Sequence, residues 1–491
     1  MLIDKVSCLR QLIDSSALNP FQILKSKFST RTQHVKKTKR VVRPNASNLN
    51  EPQDVPFMNY GKSKNYNRVY SWGLAEHGAL GYLPNTKRKR SQRPYFFRPL
   101  RIHFAYQYPI TKMACGYGFT IFGTAKGCKA KVFGCGINSD GQIGYHDPRR
   151  DNPLCLVLTP VPVYIPYKSP KTVEILQMSA GRAHSAILST EGVHFLGHNA
   201  YGQCGRPIVE NEDYIRNKVP SQAIRLGNEK IVSVCCGQDH SMFITESGKV
   251  YACGWGADGQ TGLGHYENEW QPSLVKGDIQ DEKIVKISCK SDCVLALNDK
   301  GDVFAWGNSE YGQLMRDDAI QQVNVPMHMK KLKGLGKILD IASGGTNCAV
   351  INEEGKVFTW GFGILGNGPN VYRNPTPTLI PPPLFGCNEI SPDTKVVRIE
   401  AGLTHFAAIT NYGNLYTWGR NHDGQLGLGH LREQYFPLQV SLGAVVKEVF
   451  LRSRSHCSNS GTFYLNVIFN LPVLHLLKNL VRPHSKDSPS F

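Results

Sequence analysis

The sequence predicts an all-β fold, a seven-bladed β-propeller, and three observations carry that expectation. A glycine-centred motif recurs seven times, a second motif interleaves with it, and helical periodicity is almost absent between the copies. The first motif reads VYSWGLAEHGALG (69–81), VFGCGINSDGQIG (132–144), VHFLGHNAYGQCG (193–205), VYACGWGADGQTG (250–262), VFAWGNSEYGQLM (303–315), VFTWGFGILGNG (357–368) and LYTWGRNHDGQLGLG (415–429). Its shared glycines are Gly73, Gly136, Gly197, Gly254, Gly307, Gly361 and Gly419, spaced 53 to 63 residues apart.

Each copy opens on a strand. Val69-Tyr70-Ser71-Trp72 is apolar, aromatic and β-branched, which suits a pleated and mostly buried surface. The glycine that follows permits a backbone conformation a Cβ resists, and the Gly-Gln-Leu-Gly step reads as a further turn. The second motif reads SAGRAHSAIL (179–188), CCGQDHSMFI (235–244) and EAGLTHFAAI (400–409), with weaker copies at 114–123, 288–297 and 342–351. It too reads as a buried strand, so the unit is a pair of short strands with long loops. A unit that small cannot bury both faces of its sheet alone and must stack on its neighbours, as a radial array does. Repeats of the Trp-Asp type, at about 40–45 residues, are too short, and kelch repeats lead with a glycine pair that is missing here.

Trp-Gly strands alternating with small-x-Gly-x-x-His turns resemble the regulator of chromosome condensation family. The likeness covers roughly residues 66–445, and stretches such as CGWGADGQTGLGHY and GLTHFAAIT are similar to a mitochondrial branch of it. That resemblance implies guanine-nucleotide exchange on a dynamin-like membrane-fusion GTPase. It also implies association with mitochondrial ribosomal RNA or ribosome-assembly proteins, and allows peripheral association with the inner membrane. The other functions kept open are a nuclear exchange factor for a small GTPase on chromatin and a purely structural scaffold.

The charge is uneven. Of the net +19, residues 1–45 carry +8 and residues 77–139, which contain no acid, carry +11. The chain therefore divides into a basic targeting segment (1–45), a linker (46–65), the repeats (66–447) and a divergent tail (448–491). FQILKSKFSTRTQ (21–33) has the basic, Ser-containing, acid-poor character of a mitochondrial transit peptide, with cleavage expected near Phe28. The competing readings are nuclear import through KKTKR (36–40) and a plain basic arm.

The stretch 86–109 interleaves Lys87, Arg88, Lys89, Arg90, Arg93, Arg98 and Arg101 with Tyr95, Phe96, Phe97, Phe104 and Tyr106. Cations can neutralise phosphates while aromatic rings stack on unpaired bases, which makes this the expected RNA- or anion-binding segment. The alternative is a solvated basic loop whose rings pack on the propeller.

Other motifs carry no chemistry. GWGADG (254–259) and GFGILG (361–366) match a dinucleotide fingerprint but fall on repeat positions that enter loops rather than helices. YGKSK (60–64) lacks the upstream glycine of a phosphate loop. His184, His240 and His405 recur at one repeat position, which points to a structural anchor rather than a catalyst. The 14 cysteines show no metal spacing and fill small apolar slots, so no metal, cofactor, disulfide framework or small-molecule substrate is expected.

Seven Trp-Gly strands face only six copies of the second motif, so the first blade needs a partner from beyond residue 445. That region reads VVKEVFLRSRSHCSNSGTF (445–463) without the expected glycine, which leaves closure of the first blade in doubt. The apolar run 463–481 is broken by Asn466, Asn470, Pro472, His475 and Lys478 and reads poorly as a membrane span. An alternative or mis-spliced end accounts for the departure most simply.

Overall fold

A computed structural model describes residues 68–82, 95–146, 155–216, 223–316 and 320–451, and the backbone of Tyr464–Phe469. The chain divides into Met1–Gly61 and Lys62–Phe491, and every described residue falls in the second unit. The targeting segment and the whole linker therefore lie outside the described residues.

Among the described residues the strands form seven sheets, six of four strands and one of three. In blade two the order is Ile110–Cys115, Phe119–Thr124, Val132–Gly136 and Val157–Pro162, each antiparallel to the next. Blades four to seven repeat this meander. Blade three has Ile175–Ala180, His184–Ser189 and Gly192–Gly197, with one further bridge between Val193 and Ile224. The inner strands of successive blades touch one another around the ring, and that of blade one returns to that of blade two.

Six of the seven repeats thus have four strands rather than two, and blade three has three among the described residues. The Trp-Gly motif ends the third strand, and the small-x-Gly-x-x-His motif is the turn between the first and second. The outer strands escape the periodic reading because they are half-exposed and each contains proline, as in EWQPSL (Glu269–Leu274) and QYFPLQ (Gln434–Gln439). Proline is tolerated at a sheet edge, and there it also blocks pairing with another chain.

The closure in doubt is made, by Val446–Leu451 and Tyr464–Phe469. Blade one is ordered Tyr95–Arg101, Arg68–Leu74, Tyr464–Phe469 and Val446–Leu451. Val69 pairs with Ile468 and Trp72 with Leu465, while Val449 pairs with Val467. No glycine is needed for this: Val446, Val449 and Leu451 are buried and Lys447 is exposed, with a register irregularity between Val446 and Glu448 that brings the valines to one side. A side-chain bond also joins the ends, because the Trp72 indole donates to the Gln425 carbonyl at 3.1 Å.

Between blades the core is apolar. Trp306 packs with Met242, Ile287 and Val294, and Trp360 with Leu295, Cys348 and Val350. Burying such an indole stabilises by several kcal/mol, at ~25 cal/mol per Å² over about 150–250 Å². Among the described residues, no helix is long and apolar enough to cross a membrane.

Candidate partner-binding face

The turn between first and second strands and the long loop after the Trp-Gly strand emerge at the same end of each blade, because His184 pairs with Gly197 and His405 with Gly419. One face therefore collects both sets of loops. Gly197 has φ +104, and a Cβ there would lie 2.2 Å from the Ala183 carbonyl oxygen. At Gly181 a Cβ would lie 2.3 Å from the His184 ring, and the Gly181 N–H donates to the His184 carbonyl at 2.9 Å. These close approaches are why the motif spends glycines at both positions.

His184, His240 and His405 are fully buried at the start of second strands. His184 Nε2 meets Ser241 Oγ of the next blade at 3.1 Å, and Ser241 Oγ donates to the Gln203 carbonyl at 2.8 Å. Burial pushes all three imidazoles down to about 3, so they are neutral at physiological pH. The Gly-Gln loops are fixed the same way in five blades. Gln142, Gln203, Gln260, Gln313 and Gln425 each accept the backbone N–H two residues earlier through their side-chain oxygen. The carbonyls of Gln260 and Gln313 then accept the indole N–H of Trp306 and Trp360 from the next blade.

Of the basic and aromatic stretch, Lys87, Arg88, Lys89, Arg90 and Arg93 lie outside the described residues. Tyr95, Phe96, Phe97, Arg98 and Arg101 form the outer strand of blade one. Phe96 packs edge-on against Tyr82, and Phe104 lies against Phe122 and Phe133. Those rings are engaged in packing, whereas Phe97 and Tyr106 are exposed. The Arg101 guanidinium lies 3.7 Å over the Tyr106 ring. The Phe97 carbonyl accepts the Gly429 N–H at 2.7 Å, which seats this strand on the last repeat.

A cluster that the sequence reading missed lies on the loop face of blades two to five. Arg182 makes two contacts with Asp239, at 2.7 Å and 3.1 Å. His198 Nδ1 lies 2.9 Å from Gln203 Nε2, and its ring packs on Tyr201 and Tyr214. Tyr201 meets Trp255 edge-on with centroids 4.6 Å apart. Asp292 accepts from Gln260 Nε2 at 3.1 Å and from Ser291 Oγ at 3.3 Å.

The electrostatics are strained by burial. Asp292 is pushed up to about 6, first by desolvation and then by Asp258 and Asp239. Desolvation also raises Asp239 against the pull of Arg182, and it lowers His198 against Asp140 and Asp239. Burial and mutual repulsion thus raise Asp292 while Asp239 is already paired with Arg182, and among the described residues no group of acids, histidines or cysteines is arranged to hold a metal ion. A signal for the two carboxylates existed within the chain. The residue before the repeat histidine position is Gly118, Ala183, Thr346 or Thr404 elsewhere, but Asp239 and Asp292 in blades four and five. Their carbonyls accept the N–H of Trp255 and Asn308, which fixes the backbone from which the carboxylates project.

A model of the regulator of chromosome condensation (RCC1) repeat matches residues 66–122, 192–244, 247–297, 300–351, 354–409 and 412–450. The chain belongs to the RCC1-repeat family. Within that family it is similar to the human RCC1-like G exchanging factor-like protein, at 43% identity over 79% of this chain and 86% of the relative. The mouse protein of the same name is 44% identical over 79% of this chain and 87% of its own length. The crystal structure of human WBSCR16 superposes with a TM-score of 0.75 at 42% identity, over 82% of this chain and 99% of that one. Yeast Prp20p, at 20% identity and a TM-score of 0.63 over 83% of this chain and 93% of its own, shares the RCC1 propeller fold.

Proposed function

We propose that this RCC1-repeat propeller is a guanine-nucleotide exchange factor whose working surface is the loop face of blades two to five. The observation that carries the reading is the clustered Asp239, Asp258 and Asp292 beside Arg182, His198 and Trp255. A GTPase holds its nucleotide through a phosphate-binding lysine and a magnesium ion. Carboxylates presented to that site compete for both cations, and half-buried aromatic rings such as Trp255 and Tyr201 supply docking area around them. Exchange of this kind has no covalent step and requires no nucleophile. The relatives at 43% and 44% identity, which carry exchange-factor names, support the same reading.

The partner class we assign is a dynamin-like mitochondrial fusion GTPase, with the protein in the matrix or at the inner membrane. The acid-poor stretch 21–33 supports that location. The test is release of a fluorescent GDP from such a GTPase on adding the full chain. Accelerated release supports the reading, and an unchanged rate at saturating protein counts against it. A fusion of residues 1–45 to a reporter should reach mitochondria, whereas a purely nuclear signal would favour the nuclear exchange factor.

A second surface supports an RNA contact, from mitochondrial ribosomal RNA or its assembly complexes. The run 77–139 carries +11, and its exposed Phe97 and Arg98 stand on the outer strand of blade one.

A further inference from the structure

The inner strand of each blade has one edge facing the central channel, and its amides need acceptors there. Ser179, fifth residue of its strand in blade three, accepts the N–H of Cys236, sixth in blade four, at 2.8 Å. Ser288 of blade five accepts the N–H of Ser343 in blade six at 2.9 Å. Between those two positions, blade four carries Cys235 in place of the serine. Its partner in blade five is Cys289, directly after the strand Ile284–Ser288, and the two sulfurs lie 3.1 Å apart. Both are free thiols.

We infer that Cys235 and Cys289 form a reversible disulfide that ties blade four to blade five, with Cys235 the peroxide-sensitive thiol and Cys289 the resolving thiol. Their surroundings divide the roles. Hydrogen bonding to Cys289 and the nearby Lys290 ammonium favour the Cys235 thiolate, opposed by burial and by Glu400 across the channel. Cys289 is held protonated, chiefly by its contact with Cys235. Cys235 is partly exposed while Cys289 is buried. Ser233, two residues before Cys235 on the same strand face, lines a cavity of about 380 Å³ with Lys112, Gln177, Arg398 and Glu448. Cys235 itself does not line that cavity, and its own partial exposure is what admits a small oxidant. By contrast, burial holds the neighbouring Cys204, Cys236 and Cys253 as protonated, unreactive thiols.

The chemistry balances with hydrogen peroxide as oxidant. The Cys235 thiolate attacks one peroxide oxygen, an S–O bond forms, the O–O bond breaks, and hydroxide leaves and takes up a proton. The Cys289 sulfur then attacks the Cys235 sulfur, the S–S bond forms, the S–O bond breaks, and the second hydroxide leaves as water with the Cys289 proton. Two thiols are oxidised by two electrons and one peroxide is reduced to two waters.

The test exposes the folded full-length chain to stoichiometric hydrogen peroxide, blocks remaining thiols, and maps non-reduced tryptic peptides by mass spectrometry. The expected product links residues 231–249 to residues 287–290, and a thiol reductant reverses it. C235S, which installs the serine that blades three and five already use, should fold and lose the link. C236S should keep it. No link in folded wild-type protein, or a link that survives in C235S, overturns the assignment.

Discussion

Asp292 holds a carboxylate where burial disfavours one, and that has a readable consequence. Its native value of about 6 lies above the unfolded value of 3.8. The native state therefore binds the extra proton between those values, and the group's contribution to stability is lost as pH rises through 6. At pH 7 its ionisation is a cost that D292N removes, while the Gln260 bond can persist. We expect D292N to stabilise the fold at pH 7 by on the order of 1 kcal/mol after allowance for solvent screening, read by denaturant unfolding. A destabilised D292N would show that the carboxylate is held by favourable contacts instead. The buried histidines act with the opposite sign. With native values of about 3 against 6.5 unfolded, His184, His240 and His405 favour folding above pH 6.5 and lose that contribution as pH falls toward 3. Unfolding free energy should decline across that window. H405N, which copies the asparagine that blade six carries as Asn347, should flatten part of the decline.

At the scale of the strand, the legible parts were those with two buried faces. Trp306 in VFAWGN and Ile187 in HSAILS stand in runs where at most the last residue is not fully buried, so composition alone marks them. The outer strands are invisible to that criterion because only one face packs, and their prolines read as breaks. Closure was left in doubt for a different reason: the partner was expected beyond residue 445, but the family glycine is absent from 445–463 and a register irregularity at Val446–Glu448 breaks the alternation of Val446–Leu451. The acidic cluster left only a partial signal, Asp239 and Asp292 at one repeat position, because its members come from loops of separate repeats and meet only in three dimensions. Two consequences follow for closure. Removing residues 464–491 should leave Arg68–Leu74 without its inner neighbour, raise hydrogen exchange across Val69–Trp72 and lower the melting temperature. Unchanged protection would mean that Tyr464–Phe469 is dispensable. W72F, which keeps most of the ring but not the donor to the Gln425 carbonyl, should cost about 1–3 kcal/mol by leaving a buried acceptor short of its partner.

Across the whole molecule, charge separates two surfaces. The basic run 77–139 includes the outer strand of blade one and the first three strands of blade two, whereas the carboxylates stand on the loops of blades two to five. Contacts with a polyanion should therefore be strongly salt-dependent, and changing Lys87, Arg88, Lys89 and Arg90 to Ala should weaken RNA association and flatten its salt slope, because fewer counterions are released. An unchanged slope would remove this segment from the RNA contact. The same change should leave nucleotide exchange intact, since it touches none of the acidic loops. The most direct measurement compares fluorescent-GDP release from the fusion GTPase driven by wild-type protein and by the D239N/D292N double variant, both verified as folded. Losing two charge-assisted contacts of about 1.5–3 kcal/mol each should slow exchange by at least tenfold. A folded double variant that exchanges at the wild-type rate would contradict the assignment of the working surface to the loop face of blades two to five.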